Sequence, residues 1–297
     1  MDKVKEFTSD RSELFRATLG FDFIFLKTGD GSKVPFCIEI NGEDSGLMAV
    51  SSIPESELSE SEREKVQIRM VHTKERLELS AYAESLDPVT QTTERSEAWA
   101  RARSVPGFVH AFHNPPYIRE IVASKKLQQD FIPPENRPRL YQKDDSPLSR
   151  TGFWICKPLS GRKGKGIKIF SNEEFKTRFL ADGMTEGYIA QELLRASGAD
   201  LAPSGYENNP AAMRFLMDII YYTDKSIEEV FSFAYQRISV HDPDTLAAAS
   251  VLEDACIVNI ARGASAAAAS DREMMLAHEV ALKIIQNIAE GYQKESL

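Results

Sequence analysis

Two apolar runs flank a Gly-Asp-Gly-Ser turn in FDFIFLKTGDGSKVPFCIEIN, and both read as β-strands. Just before them, SDRSELFRATLG has the spacing of a short helix. The stretch from 54 to 104 is charged, lacks glycine and is poor in β-branched residues, which predicts helices. From about residue 107 strand and helix signals alternate. GFWICKPLS and GIKIF read as strands, and SNEEFKTRFL as a helix opened by Ser171 and Glu174 in capping-box spacing. YIAQELL, AAMRFLMDIIYY, VFSFAYQRISV and ACIVNI read as further strands. From Ser270, with Glu273 three residues on, Leu276, Val280, Ile284 and Ile288 recur every fourth position and predict an amphipathic helix. The predicted class is α+β.

Composition narrows this picture. At 297 residues, 42% of them hydrophobic, the chain has the apolar content for a proper core. A net charge of −9 argues against a nucleic-acid surface spread over the protein, so any anion site must be local. No apolar run approaches the roughly 18 residues of a membrane span, and MDKVKEFTSD lacks the apolar centre of a signal peptide, so no membrane partner and a cytoplasmic location are expected. Cys37, Cys156 and Cys256 stand singly in apolar runs and read as reduced core residues. His110 and His113 read as structural, and HNPP as a turn whose proline opens a helix.

Between two predicted strands lies GRKGKG, residues 161 to 166, a Gly-x-x-Gly-x-Gly turn. It is neither a Walker A sequence nor GxGxxG. Gly161, Gly164 and Gly166 let backbone N–H groups approach an anion, Lys163 and Lys165 add charge, and Lys157 sits on the strand leading in. The same residues also suit a solvated hairpin turn. In YIAQELL, Gln191 and Glu192 end an apolar strand and suit an adenine edge or an ordinary strand end.

The N-terminal hairpin pairs two carboxylates. With Asp30-Gly31 as the centre of a two-residue type I′ turn, cross-strand partners have numbers summing to 61, and Asp22 faces Glu39. Alternation then places Phe23, Phe25, Phe36, Ile38 and Ile40 on a core face, and Asp22, Ile24, Cys37, Glu39 and Asn41 on the other. Two like charges about 4 Å apart repel by roughly 1 kcal/mol in water and about 4 kcal/mol at an effective dielectric of 20, so something should neutralise them. A magnesium ion held by Asp22, Glu39 and Asn41 is one candidate. A solvated acidic face with a slipped register is the other, since Pro35 permits a bulge.

Five pieces together resemble the ATP-grasp superfamily. They are the Lys157 strand with its glycine loop, QELL, MRFLMD with Arg214, VNIARGA with Asn259 and Arg262, and GFDFI…CIEING with Asp22, Glu39 and Asn41. The resemblance implies two α/β subdomains gripping ATP, and a ligase that activates a carboxylate as an acyl phosphate and joins it to an amine. It implies that Lys157, with Lys125 or Lys126, contacts the phosphates under a flap formed by residues 161 to 166. Glu192, Leu193 and Leu194 would meet the adenine, with Asp200 at the ribose and Asn259 also in the nucleotide site. Arg214 and Arg262 would stabilise developing charge, and Asp22, Glu39 and Asn41 would hold two Mg²⁺ ions.

The motif order departs from the family, because the acidic E-x-N strand comes first here instead of last. That is the order of a circularly permuted chain, with residues 1–46 completing the core, 47–106 a helical insert or linker, and 107–297 carrying the ATP-grasp subdomains. Exchange of the hairpin between two copies in a homodimer is the alternative. The expected partners are small-molecule or peptide carboxylates and amines. A small-molecule kinase on the same fold and a non-catalytic binding module remain the rival functions.

Overall fold

The computed structural model describes residues 11–42, 59–60, 63, 114–143, 145–159, 166–240 and 264–295. Apart from residues 59–60 and 63, the predicted helices of 54–104 lie outside them, as do the strand ACIVNI, Cys256, His110 and His113, and the site residues Gly161, Lys163, Gly164, Lys165, Asn259 and Arg262. The described residues form a mixed α+β structure with two antiparallel sheets. None of their helices is long and apolar enough to cross a membrane.

The larger sheet has the order β2-β1-β6-β7-β8, from β1 (Glu13–Lys27), β2 (Lys33–Gly42), β6 (Ala211–Tyr222), β7 (Ile227–Ile238) and β8 (Ser265–Ala268). The smaller has the order β4-β3-β5, from β3 (Phe153–Pro158), β4 (Lys168–Ser171) and β5 (Tyr188–Glu192). Three helices matter for the site: α1 (Pro116–Ala123), α2 (Gln128–Phe131) and the closing α3 (Asp271–Glu295). As expected, a proline opens α1. The Ser171–Glu174 capping box forms, with Ser171 Oγ accepting from Glu174 N at 3.2 Å and Ser171 N donating to Glu174 Oε2 at 3.0 Å, and Ser270 caps α3, its Oγ accepting from Glu273 N at 3.2 Å. After Ser171 the helical turn widens to a π-helix over Phe175–Leu180, whose Phe175 and Phe179 stack under Trp154 in the small sheet's core.

The helix expected in SDRSELFRATLG is replaced, from Glu13 on, by the first half of β1. Its Glu, Leu and Ala favour helix locally, but the segment pairs with β6 from Glu13↔Tyr222 to Ile24↔Ala212, and tertiary pairing overrides propensity. The period-two row Phe15, Ala17, Leu19, Phe21, Phe23 and Phe25 was the signal for it. That row packs on Ala277, Val280, Ala281, Ile284, Ile285 and Ile288 of α3 to form the main core.

The hairpin also closes differently. Its loop has three residues, Gly29-Asp30-Gly31, with Gly31 at φ +83 and Thr28 N donating to Ser32 O at 2.9 Å. Asp30 Oδ1 accepts from Ser32 N at 3.0 Å and Ser32 Oγ at 2.7 Å, which holds the loop together. Partners near the loop therefore sum to 60, as in Phe23↔Cys37. A bulge at Ile38 then restores the expected Asp22↔Glu39 pair. Because of that register, Cys37 lies in the core and Phe36, opposite Ile24, lies on the other face, the reverse of the sequence expectation. Burial pushes the Cys156 thiol up to about 12 and raises that of Cys37 as well, so both are inert core thiols.

Candidate functional site

The outer edge of β2 is covered by side chains instead of another strand. Asn136 Nδ2 donates to Pro35 O at 3.0 Å, and Lys157 Nζ donates to Ile38 O at 3.1 Å. Gln128 accepts from Ile40 N at 2.9 Å and donates to Ile40 O at 2.8 Å. Where β2 ends, Asn114 continues the ladder, accepting from Thr18 N at 2.8 Å and donating to Thr18 O at 2.9 Å. These contacts seat β3, α1 and α2 against the hairpin.

Between the hairpin, α2 and the small sheet opens a cleft lined by Ile38, Glu39, Lys125, Gln128, Gln129, Lys157, Ile189 and Gln191. Its empty space, part of it open solvent, is about 180 Å³, so the cleft is shallow. Lys157 faces it because Lys157↔Ile189 and Ile155↔Gln191 are paired on one face of the small sheet, while Trp154 and Cys156 fill the core behind. Lys125 reaches the same cleft and donates to Pro158 O at 3.3 Å. Lys157 is partly exposed along its stem, but its ammonium is enclosed. Burial lowers its pKa, Glu39 works against that, and Lys125 adds to it. Gly166 closes the far end of the glycine loop at φ +75, where an added Cβ would lie 3.4 Å from Pro158.

The large sheet's face opposite α3 carries the row Glu39, Asp22, Arg214 and Tyr235, each directly across from the next. Asp22 and Arg214 are both buried. Arg214 Nε and Nη2 both donate to Asp22, the latter at 2.8 Å, and Arg237 Nη2 lies 2.9 Å from Asp22 Oδ1. Asn41 Nδ2 adds a 3.4 Å contact. Burial alone would raise the Asp22 pKa, but the two guanidinium groups more than offset it and hold the carboxyl low, and Asp22 in turn raises the Arg214 pKa. The repulsion between Asp22 and Glu39 is thus relieved by Arg214 and Arg237. Arg237 was not singled out in the sequence, although it lies two residues past Tyr235 on the same face of β7.

That arrangement does not fit magnesium at Asp22, whose oxygens already serve two arginines. Among the described residues no group of three His, Cys, Asp or Glu side chains stands close enough to hold a metal. Glu39 lines the cleft, whereas Asn41 is not among its lining residues and its amide is directed to Asp22 Oδ2.

The other expected nucleotide contacts divide. Gln191 faces the cleft, whereas the Glu192 carboxylate turns away. It accepts from Ser149 Oγ at 3.1 Å, from Thr151 N at 3.3 Å and from Arg150 N. Glu192 N donates to Arg139 O at 2.8 Å and Leu193 N to Phe153 O at 3.1 Å, so neither N–H is directed to a ligand. Leu194 follows at the end of β5, outside the cleft lining. Lys126 is exposed and also outside it. Asp200 lies with Lys33, at 2.9 Å, and with Ser270 Oγ, at 3.0 Å.

No protein family and no curated protein matches the chain. Among solved structures, it is similar to the apo form of a glutathione synthetase-like effector from Globodera pallida. The TM-score is 0.38 and the identity 11%, over 75% of this chain and 74% of that one.

Proposed function

We propose that this chain is an ATP-dependent carboxylate–amine ligase with an ATP-grasp fold and a circularly permuted motif order. The observation that supports it is the convergence of Lys157 from the small sheet, Lys125 from the segment before α2 and Glu39 from the hairpin on one cleft. The resemblance assigns the two lysines to the phosphates and Glu39 to magnesium, and the three come from chain segments up to 118 positions apart (157 − 39). Lysines aimed at a partly desolvated cleft suit phosphate oxygens, because each ammonium gains a charge-assisted partner for the water it has lost.

In this reading a carboxylate oxygen attacks the γ-phosphorus of ATP, the bond to the β,γ-bridging oxygen breaks, and ADP leaves. The amine then attacks the acyl carbon, loses a proton, and expels inorganic phosphate. The chain's own part is to hold the phosphates on Lys157 and Lys125 and to align the reactants. No step is assigned to Asp22 or to a metal on it, and Arg214 acts through its ion pair with Asp22. The N-terminal hairpin completes the core through its pairing with β6.

A non-catalytic nucleotide-fold binding module has one observation on its side: the Asp22 carboxylate is fully engaged by Arg214 and Arg237. A screen of carboxylates and amines for ADP release in magnesium buffer tests both readings. An amide product with equal ADP and phosphate supports the ligase. A stable phosphoester indicates the kinase, and nucleotide binding without turnover across the whole library indicates the module.

A further inference from the structure

Four cations and two carboxylates meet around the cleft and the row beside it. Lys125, Lys157 and Glu39 line the cleft, and Asp22, directly across from Glu39, is held by Arg214 and Arg237. These six groups leave a surplus of two positive charges (4 − 2) before any metal is counted. They share one field. Burial lowers the Lys157 pKa while Glu39 and Asp22 both work against it, and burial disfavours the Arg214 charge while Asp22 and Glu39 favour it.

Turning Asp22 to a divalent ion would strand two buried guanidinium groups next to a doubly charged neighbour, because its carboxylate now accepts from Arg214 Nε and Nη2 and pairs with Arg237 Nη2. Asp22 does not saturate the arginines, however. Arg237 is only 8% exposed, yet its Nε has no hydrogen-bond partner. A buried, charged donor left open in this way asks for an acceptor.

We propose that this site takes the phosphates of its ligand without a divalent metal, because Arg214, Arg237, Lys157 and Lys125 already supply the positive charge that magnesium would bring. This rests on the nucleotide reading given above and states how the charge of that site is balanced. Bare carboxylates repel a polyphosphate until a cation comes between them. Here the arginines neutralise Asp22 from within, so a polyphosphate meets a surplus of cations instead. Metal-free ATP carries more negative charge than its magnesium complex, and a positive site favours the more charged form.

The test is titration calorimetry of the full chain with ATP at matched ionic strength, once in EDTA and once in excess magnesium. Wild type is expected to bind ATP in EDTA within about threefold of its affinity in magnesium, or more tightly. Magnesium titrated into the unliganded protein is expected to give no saturable heat. Arg237→Met removes one cation and releases Asp22 from one of its two arginines. Its ATP affinity is expected to fall about tenfold or more in EDTA and less in magnesium, so that the variant acquires a metal dependence that wild type lacks. A larger loss than about threefold for wild type in EDTA, or saturable magnesium binding to the protein alone, overturns the proposal and leaves the nucleotide reading standing. Equal losses in both buffers for Arg237→Met overturn it as well, since the guanidinium would then be structural. Should that variant unfold, the wild-type titrations decide alone. No binding of ATP in either buffer overturns metal-free binding and the nucleotide reading together.

Discussion

Lys157 Nζ donates to the carbonyl of Ile38 across 3.1 Å, and Ile38 is the bulge residue of β2 that has no partner on β1. The bulge does two things at once. It corrects the register so that Asp22 and Glu39 meet, and it presents a carbonyl that the sheet cannot use to a lysine on the other sheet. An ammonium carries three donors, so this bond leaves donor capacity for an anion.

Lys157→Met should abolish nucleotide binding while leaving the chain folded. Burial lowers the lysine's pKa below its unfolded 10.5, so the folded state disfavours the charged form. The penalty is fully present below the folded pKa and disappears as pH rises toward the unfolded value. Stability of wild type relative to Lys157→Met should therefore rise with pH across that window. Urea denaturation at several alkaline pH values measures it, and a difference that falls with pH would contradict the burial argument.

Asp22→Asn should destabilise the fold by about 3–5 kcal/mol, because it strips the counter-charge from two buried arginines. The Asp22 pKa is lowered in the folded state. Its stabilisation is present above the unfolded value of about 3.8 and is lost as pH falls through the folded value. Acid unfolding of wild type should outlast that of the variant, and coincident curves would show the pair to be energetically idle.

Glu39→Gln should behave otherwise. Glu39 is only partly buried, and the charge across from it is already balanced by Arg214 and Arg237. Its stability should stay within about 0.5 kcal/mol of wild type. ADP release should nevertheless collapse, because the change removes the cleft's carboxylate beside Lys157. Unimpaired release would take Glu39 out of the proposed reaction.

Lys33 and Glu273 form a second buried pair, 2.5 Å apart, joining the start of β2 to the first turn of α3. Lys33 also donates to Gly198 O at 2.8 Å, and Gln236 Nε2 donates to Glu273 Oε2 at 2.9 Å. Glu273→Gln or Lys33→Met alone should cost about 3–5 kcal/mol. The double variant Lys33→Met with Glu273→Met should cost less than the sum, and a denaturation double-mutant cycle reads the coupling. Additive losses would mean that the two side chains act separately.

Much of this protein was decided by its own local sequence. The strands around the Gly-Asp-Gly turn, the capping box at Ser171, the Ser270 cap and the apolar stripe of α3 follow from turn chemistry and from periods of two and 3.6, which involve neighbours only, whereas Asp22 meets Glu39 only because the bulge at Ile38 offsets the longer loop. Tertiary structure decided the rest. Residues 13–20 became strand because β6 lies beside them, 200 positions away for Thr18 and Asp218. Asp22 found Arg214 across 192 positions and Arg237 on the next strand, so arginines balance a charge for which spacing alone suggested a metal. Glu192 turned from the cleft and Gln191 into it, because pairing with β3 set which side chain faces which way. Local spacing sets the period of an element, but which charge, backbone edge or cleft its side chains meet depends on strand order and register between distant segments.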